Sequence, residues 1–91
     1  MLHIVKSLQK LKLVQRYFQP SDTLLLVENA VYAASEYTEY FAHIRQFNDV
    51  YVLQEDLQAR GWIKKCSATI QIINRFDFVE LTIKQSKSIS W

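Results

Sequence analysis

Cys66 is the one plausible nucleophile in this chain of 91 residues. It stands between Lys64-Lys65 and Ser67, and nearby ammonium groups lower a thiol's pKa and favour the thiolate. A reactive thiol is better placed at a strand's carboxyl end or a helix N-terminus, where dipoles stabilise the anion. Cys66 instead precedes an apolar strand pattern, so it reads as a loop cysteine without chemistry. His3 and His43 are distant in sequence and lack metal-ligand spacing. His3 lies inside an apolar segment and reads as a core histidine with one ring nitrogen hydrogen-bonded. Glu55-Asp56 suits the positive end of a helix dipole better than an acid/base pair. A single glycine cannot supply a phosphate-cradling loop. No catalytic residue, metal site or cofactor is expected, and the chain reads as non-catalytic by itself.

A second group of candidates sits in the stretch Thr23–Ala34. Leu24–Val27 is apolar without a break, as in a strand covered on both faces inside a parallel sheet. The run stops at Glu28-Asn29, and Asn29 fits a helix N-cap. Ala30, Val31, Ala33 and Ala34 follow, with Tyr32 the one bulky residue among them. In open α/β sheets, ligands and partners meet the protein at the carboxyl ends of strands. Glu28, Asn29 and Tyr32 are therefore expected at an interface. Tyr32 is the favoured anchor, since tyrosines are frequent hot spots.

Alternating elements position these residues. Leu2–Val5 reads as a first strand. Ser7 can cap a helix whose inner stripe is Leu8, Leu11, Val14 and Phe18. Gln19–Asp22 is a turn around Pro20. A helix from Ala30 restarts near Ser35 and carries a stripe of Tyr37, Phe41 and Ile44. Val50–Leu53 is a β-branched strand. The following helix ends at Gly61, where a left-handed cap is needed. Ile70–Ile73 is a strand, and Asn74 caps a last helix with Asp77 at its third position and Phe78, Val79, Thr82 and Ile83 inward. Ser88–Trp91 alternates as an edge strand. The order predicts a single three-layer α/β/α domain over residues 1–91, with a mostly parallel sheet of about five strands.

Composition narrows the partners. The hydrophobic fraction is 49%, high for a small solitary domain. A net charge of +2 weighs against a nucleic-acid module built on Arg60, Lys64, Lys65 and Lys84. One cysteine excludes an internal disulfide and suits a reducing compartment. Met1–Lys6 shows no signal-peptide pattern, and no apolar run is long enough to span a bilayer. A cytoplasmic protein is expected.

Taken together, Met1–His3, Leu24–Ala34, Val50–Gly61, and Asp77–Thr82 through to Trp91 resemble the DsrH family and its TusB branch. The resemblance covers essentially the whole chain in order, and Glu55–Gly61 and Trp91 are its most specific parts. It implies a small α/β fold shared with the DsrE and DsrF families. It also implies a heterohexamer with TusC-like and TusD-like subunits, relaying persulfide sulfur from a TusA-like carrier towards a TusE-like one. The product is 2-thiouridine at the tRNA wobble position, and the sulfur-carrying cysteine belongs to the TusD-like subunit. Some DsrH members of sulfur-oxidising bacteria carry a cysteine in the first helix. Ser7–Phe18 has none, which favours the thiolation branch. Cys66 matches no family cysteine, and Asn29-Ala30 stands where relatives often have Asp-Gly. The expectation is a non-catalytic subunit of a sulfurtransferase complex, with Tyr32, Glu28, Asn29 and Trp91 at interfaces. The alternatives are a direct persulfide carrier using Cys66 and a DsrH-type subunit of a sulfur-oxidation complex.

Overall fold

A run that is apolar on both faces needs cover on both, and Leu24–Val27 has it. The computed structural model describes residues Met1–Trp91. Leu24 and Leu26 point into one apolar cluster, Leu25 and Val27 into another, and all four are buried. The strand is β2 (Thr23–Leu26), at the centre of a five-stranded sheet. The others are β1 (Leu2–Val5), β3 (Val50–Leu53), β4 (Gln71–Ile73) and β5 (Ser88–Ser90). The order is β4-β3-β2-β1-β5 and every pairing is parallel. Leu2 stands opposite Thr23 on one side and Ser88 on the other, and Leu24 stands opposite Val50.

The larger cluster lies under α1 (Leu11–Tyr17), a 3-10 segment at Glu28–Ala34, α2 (Phe41–Ile44) and α3 (Gln54–Ala59). Leu11, Val14, Ala30, Val31, Ala33, Ala34, Ile44 and Leu57 supply its helical side. The smaller cluster is Leu2, Leu25, Val27, Leu53 and Ile73, covered by Phe78 and Leu81 of α4 (Arg75–Lys84). The molecule is thus the expected three-layer α/β fold, with all strands parallel rather than most. No helix is long and apolar enough to cross a membrane.

Several local expectations need correction. Ser7 donates its hydroxyl to the Gln9 side chain and makes no capping bond. The long middle helix does not form. Glu28–Ala34 is a 3-10 segment, Ser35 is extended at φ −98° and ψ 130°, and only Phe41–Ile44 is α-helical. The Thr38 hydroxyl accounts for part of the break. It donates to the carbonyls of Tyr32 and Ser35, 3.1 Å from each, and so competes with helical bonding. Tyr37 falls in the connecting turn and is 84% exposed instead of lining the core. In α4 the inward side chains are Phe78 and Leu81, with Thr82 partly covered. Val79 and Ile83 face solvent at 51% and 72% exposure, beside Phe76 at 72%. The remaining caps follow the pattern: Gly61 has φ +66°, and Asn74 accepts from the Asp77 N–H at 2.9 Å.

Candidate functional site

The carboxyl ends of β2 and β3 are tied together by side chains. Glu28 turns the chain in the left-handed region, φ 50°, a conformation that costs a non-glycine residue energy. Its N–H donates to the Asp56 carboxylate at 2.6 Å, which anchors the turn to the start of α3. Asn29 is not the helix cap that its sequence position suggests. Val27 occupies the capping position, and no side chain caps the segment. The Asn29 side-chain oxygen is taken instead by Arg60, whose Nε and Nη2 donate to it at 3.1 and 3.0 Å. Arg60 also donates from Nη1 to the Asp56 carbonyl at 3.2 Å. Glu28 and Asn29 remain exposed at this edge.

Tyr32 is half-buried. Its small neighbours Ala30, Val31, Ala33 and Ala34 pack down into the core and frame no surface groove. The ring meets Trp62 edge-on, with centroids 4.9 Å apart at 85°, and the Lys65 ammonium lies 4.7 Å above the same indole. Tyr32, Trp62 and Lys65 thus form one partly exposed aromatic–cation stack.

Cys66 follows a 3-10 turn at Ile63–Lys65 and lies on the amino side of β4. Burial pushes its thiol up from the ordinary range, and Lys65 is engaged with Trp62. The thiol faces the Ser67 carbonyl at 3.5 Å. A half-buried thiol with a raised pKa is a poor source of thiolate.

Trp91 follows the carboxyl end of the edge strand β5, and its indole reaches back to a polar cluster toward the amino ends of β1 and β2. Its indole N–H donates to His3 Nδ1 at 3.1 Å, and its ring stacks against His3 and Tyr17. His3 Nε2 lies 2.9 Å from Asp22 Oδ2, and the Met1 ammonium donates to Asp22 Oδ1 at 3.0 Å. The Gln19 N–H also donates to Asp22, at 2.9 Å. Burial alone would raise the Asp22 pKa. The donors from Gln19, His3 and Met1 outweigh it and hold the carboxyl at about 2. His43 stands apart, its carbonyl accepting from Gln15 and Gln46, and no three His, Cys, Asp or Glu side chains come together in metal-binding geometry.

A cavity of about 410 Å³ opens at the carboxyl ends of β1, β2, β3 and β5, where the strand order reverses around β1. Ile4, Val27, Leu53 and Phe78 line its apolar part. Lys6 and Arg75 face Glu28 and Asp56 around it, so its charges cancel and select no sign of ligand.

The DsrH family model, described as DsrH like protein, matches residues 6–88. The chain belongs to the DsrH family. It is 40% identical to Protein TusB of Shigella dysenteriae serotype 1 (strain Sd197) over 77 residues, 84% of this chain and 81% of that one. Protein TusB of Escherichia coli O81 (strain ED1a) is 39% identical over the same share of each chain. The part of this DsrH-family chain matched by the model holds Glu28, Asn29, Tyr32 and Cys66, and leaves out His3 and Trp91. Sequence reasoning missed what two residues do in this chain's candidate site. Asp22 looked like a turn residue, and the signal for more was its place just before a buried strand. Arg60 stood out only as part of the Glu55–Gly61 stretch and of a basic group weighed for nucleic acid, and nothing local pairs it with Asn29, 31 residues away.

Proposed function

We propose that the chain is a non-catalytic subunit of a sulfur-relay complex needed for 2-thiolation of the tRNA wobble uridine in the cytoplasm. In this reading residues 1–91 act as one domain, assembled with TusC-like and TusD-like subunits in a heterohexamer. The observation that carries it is the match to TusB proteins over about four-fifths of both chains. Cys66 supports it, because a thiol with a raised pKa on the amino side of a strand is poorly suited to carry persulfide. The sulfur then rides on a partner's cysteine, arriving from a TusA-like carrier and leaving to a TusE-like one. The surface assigned to partners is the β2 end, with Glu28, Asn29 and Tyr32, together with the Trp91 corner. The outward face of α4, with Phe76, Val79 and Ile83 exposed, also suits a subunit better than a solitary domain.

Co-purification of the tagged chain from its native cell, followed by mass spectrometry, tests the reading. TusC-like and TusD-like chains eluting with it in constant proportion is the expected result. A chain that elutes alone, from a cell whose tRNA thiolation survives its deletion, overturns it.

A further inference from the structure

The strand β5 holds on to the sheet by very little. Ser88 and Ser90 are exposed and Ile89 is 40% exposed, so the strand itself fully buries no side chain. It relies on backbone bonds to and around β1, among them Trp91 N to the Ile4 carbonyl at 2.8 Å and Lys6 N to the Trp91 carbonyl at 3.2 Å. The side chain that fastens it is Trp91, which packs against the larger core cluster.

Trp91 in turn is hydrogen-bonded to one buried ring, the imidazole of His3. An indole N–H can only donate, so His3 Nδ1 must present a lone pair to it. A neutral imidazole then carries its proton on Nε2 and donates it to Asp22. In the imidazolium both nitrogens carry protons. Nδ1–H would meet the Trp91 N–H head-on at the present 3.1 Å, donor against donor. The titratable groups around the ring are Asp22, which attracts a positive charge there, the Met1 ammonium, which repels it, and Tyr17, stacked on the Trp91 indole. Phe18, 5.1 Å from the imidazole centroid, is uncharged.

We propose that His3 and Trp91 form a proton-sensitive latch on the edge of the sheet. Neutral His3 holds the indole and keeps β5 docked. Protonation at Nδ1 expels the indole, loosens β5 and uncovers the edge of β1. Nothing in this device depends on the role proposed above.

Nuclear magnetic resonance on the intact chain tests it, with Trp62→Phe identifying the two indoles. At high pH the His3 nitrogens should report the Nε2–H form. On acidification the Trp91 indole proton should shift with the same midpoint as the His3 ring, and the protection factors of the Trp91 and Lys6 amides should fall in step. His3→Asn, which offers an oxygen acceptor but does not titrate, should leave the indole resonance insensitive over that range. An indole that stays put while His3 titrates overturns the latch. So does an Nδ1–H form at high pH, a His3 that remains neutral until the domain unfolds, or wild-type release in His3→Asn.

Discussion

Arg60 grips the side-chain oxygen of Asn29 with two of its N–H groups, at 3.1 and 3.0 Å. Asn29 stands just past β2, whereas Arg60 ends the helix that follows β3. The pair therefore fixes the spacing of two neighbouring strand ends, where a capping asparagine would have fixed only its own helix.

Asn29→Ala should cost about 0.5–1 kcal/mol, the worth of an exposed charge-assisted bond, and Arg60→Ala a similar amount. Because the two changes remove the same contact, the double variant should cost less than their sum. Urea unfolding of all three variants measures this. Strictly additive costs would show that the pair contributes nothing.

Tyr32→Ala should weaken assembly with TusC-like and TusD-like partners while the domain still folds. Losing the edge-on contact with Trp62 should lower fold stability by about 0.5–1.5 kcal/mol. Tyr32→Phe keeps that contact, so a binding loss shared by both variants isolates the hydroxyl. Thermal melts beside pull-downs separate the two effects, and unchanged partner affinity in Tyr32→Ala would refute the interface at the β2 end.

Asp22→Asn should destabilise the fold near neutral pH by on the order of 1–2 kcal/mol. That range is kept low because the Met1 side of the ion pair is 42% exposed and screened. The carboxyl falls from the ordinary 3.8 to about 2 on folding. Its contribution is therefore complete above about pH 4 and disappears as pH falls through 2. Stability curves of the two proteins should converge over that window. Curves that stay parallel down to pH 2 would mean that the carboxylate's charge does not matter.

Cys66→Ser should leave cellular thiouridine close to the wild-type level. In the same spirit, iodoacetamide at pH 7 should modify Cys66 more slowly than a free cysteine, since burial raises the thiol's pKa and reduces the thiolate. A variant that assembles with its partners yet loses most of the product would make Cys66 a sulfur carrier.

The five strands were legible because each pattern was local. Leu24–Val27 is apolar on both faces and is buried on both, and Val50–Leu53 is β-branched and lies beside it. Asn74 and Gly61 were legible for the same reason, since a cap is settled within a few residues. The middle of the chain was not. Its 3-10 path depends on a left-handed Glu28 held by Asp56, 28 residues on. The inward face of α4 was misread because Phe78 and Val79 are equally apolar, and only the sheet beneath decides which of them is covered. The candidate site was the least legible part. Arg60–Asn29, Trp62–Tyr32 and Trp91–His3 are contacts between elements far apart in sequence, and periodicity carries no trace of them.

The place of β1 in the sheet has a consequence for how the protein is made. One side of β1 pairs with β2, at residues 23–26, but the other waits for residues 88–90. A chain emerging from the ribosome can therefore lay down β1 to β4 in order while one edge of its first strand stays unpaired. Long-range parallel pairing is slow, and an open strand edge is a template for other chains. The nascent protein carries that liability until residues 88–90 have been synthesised.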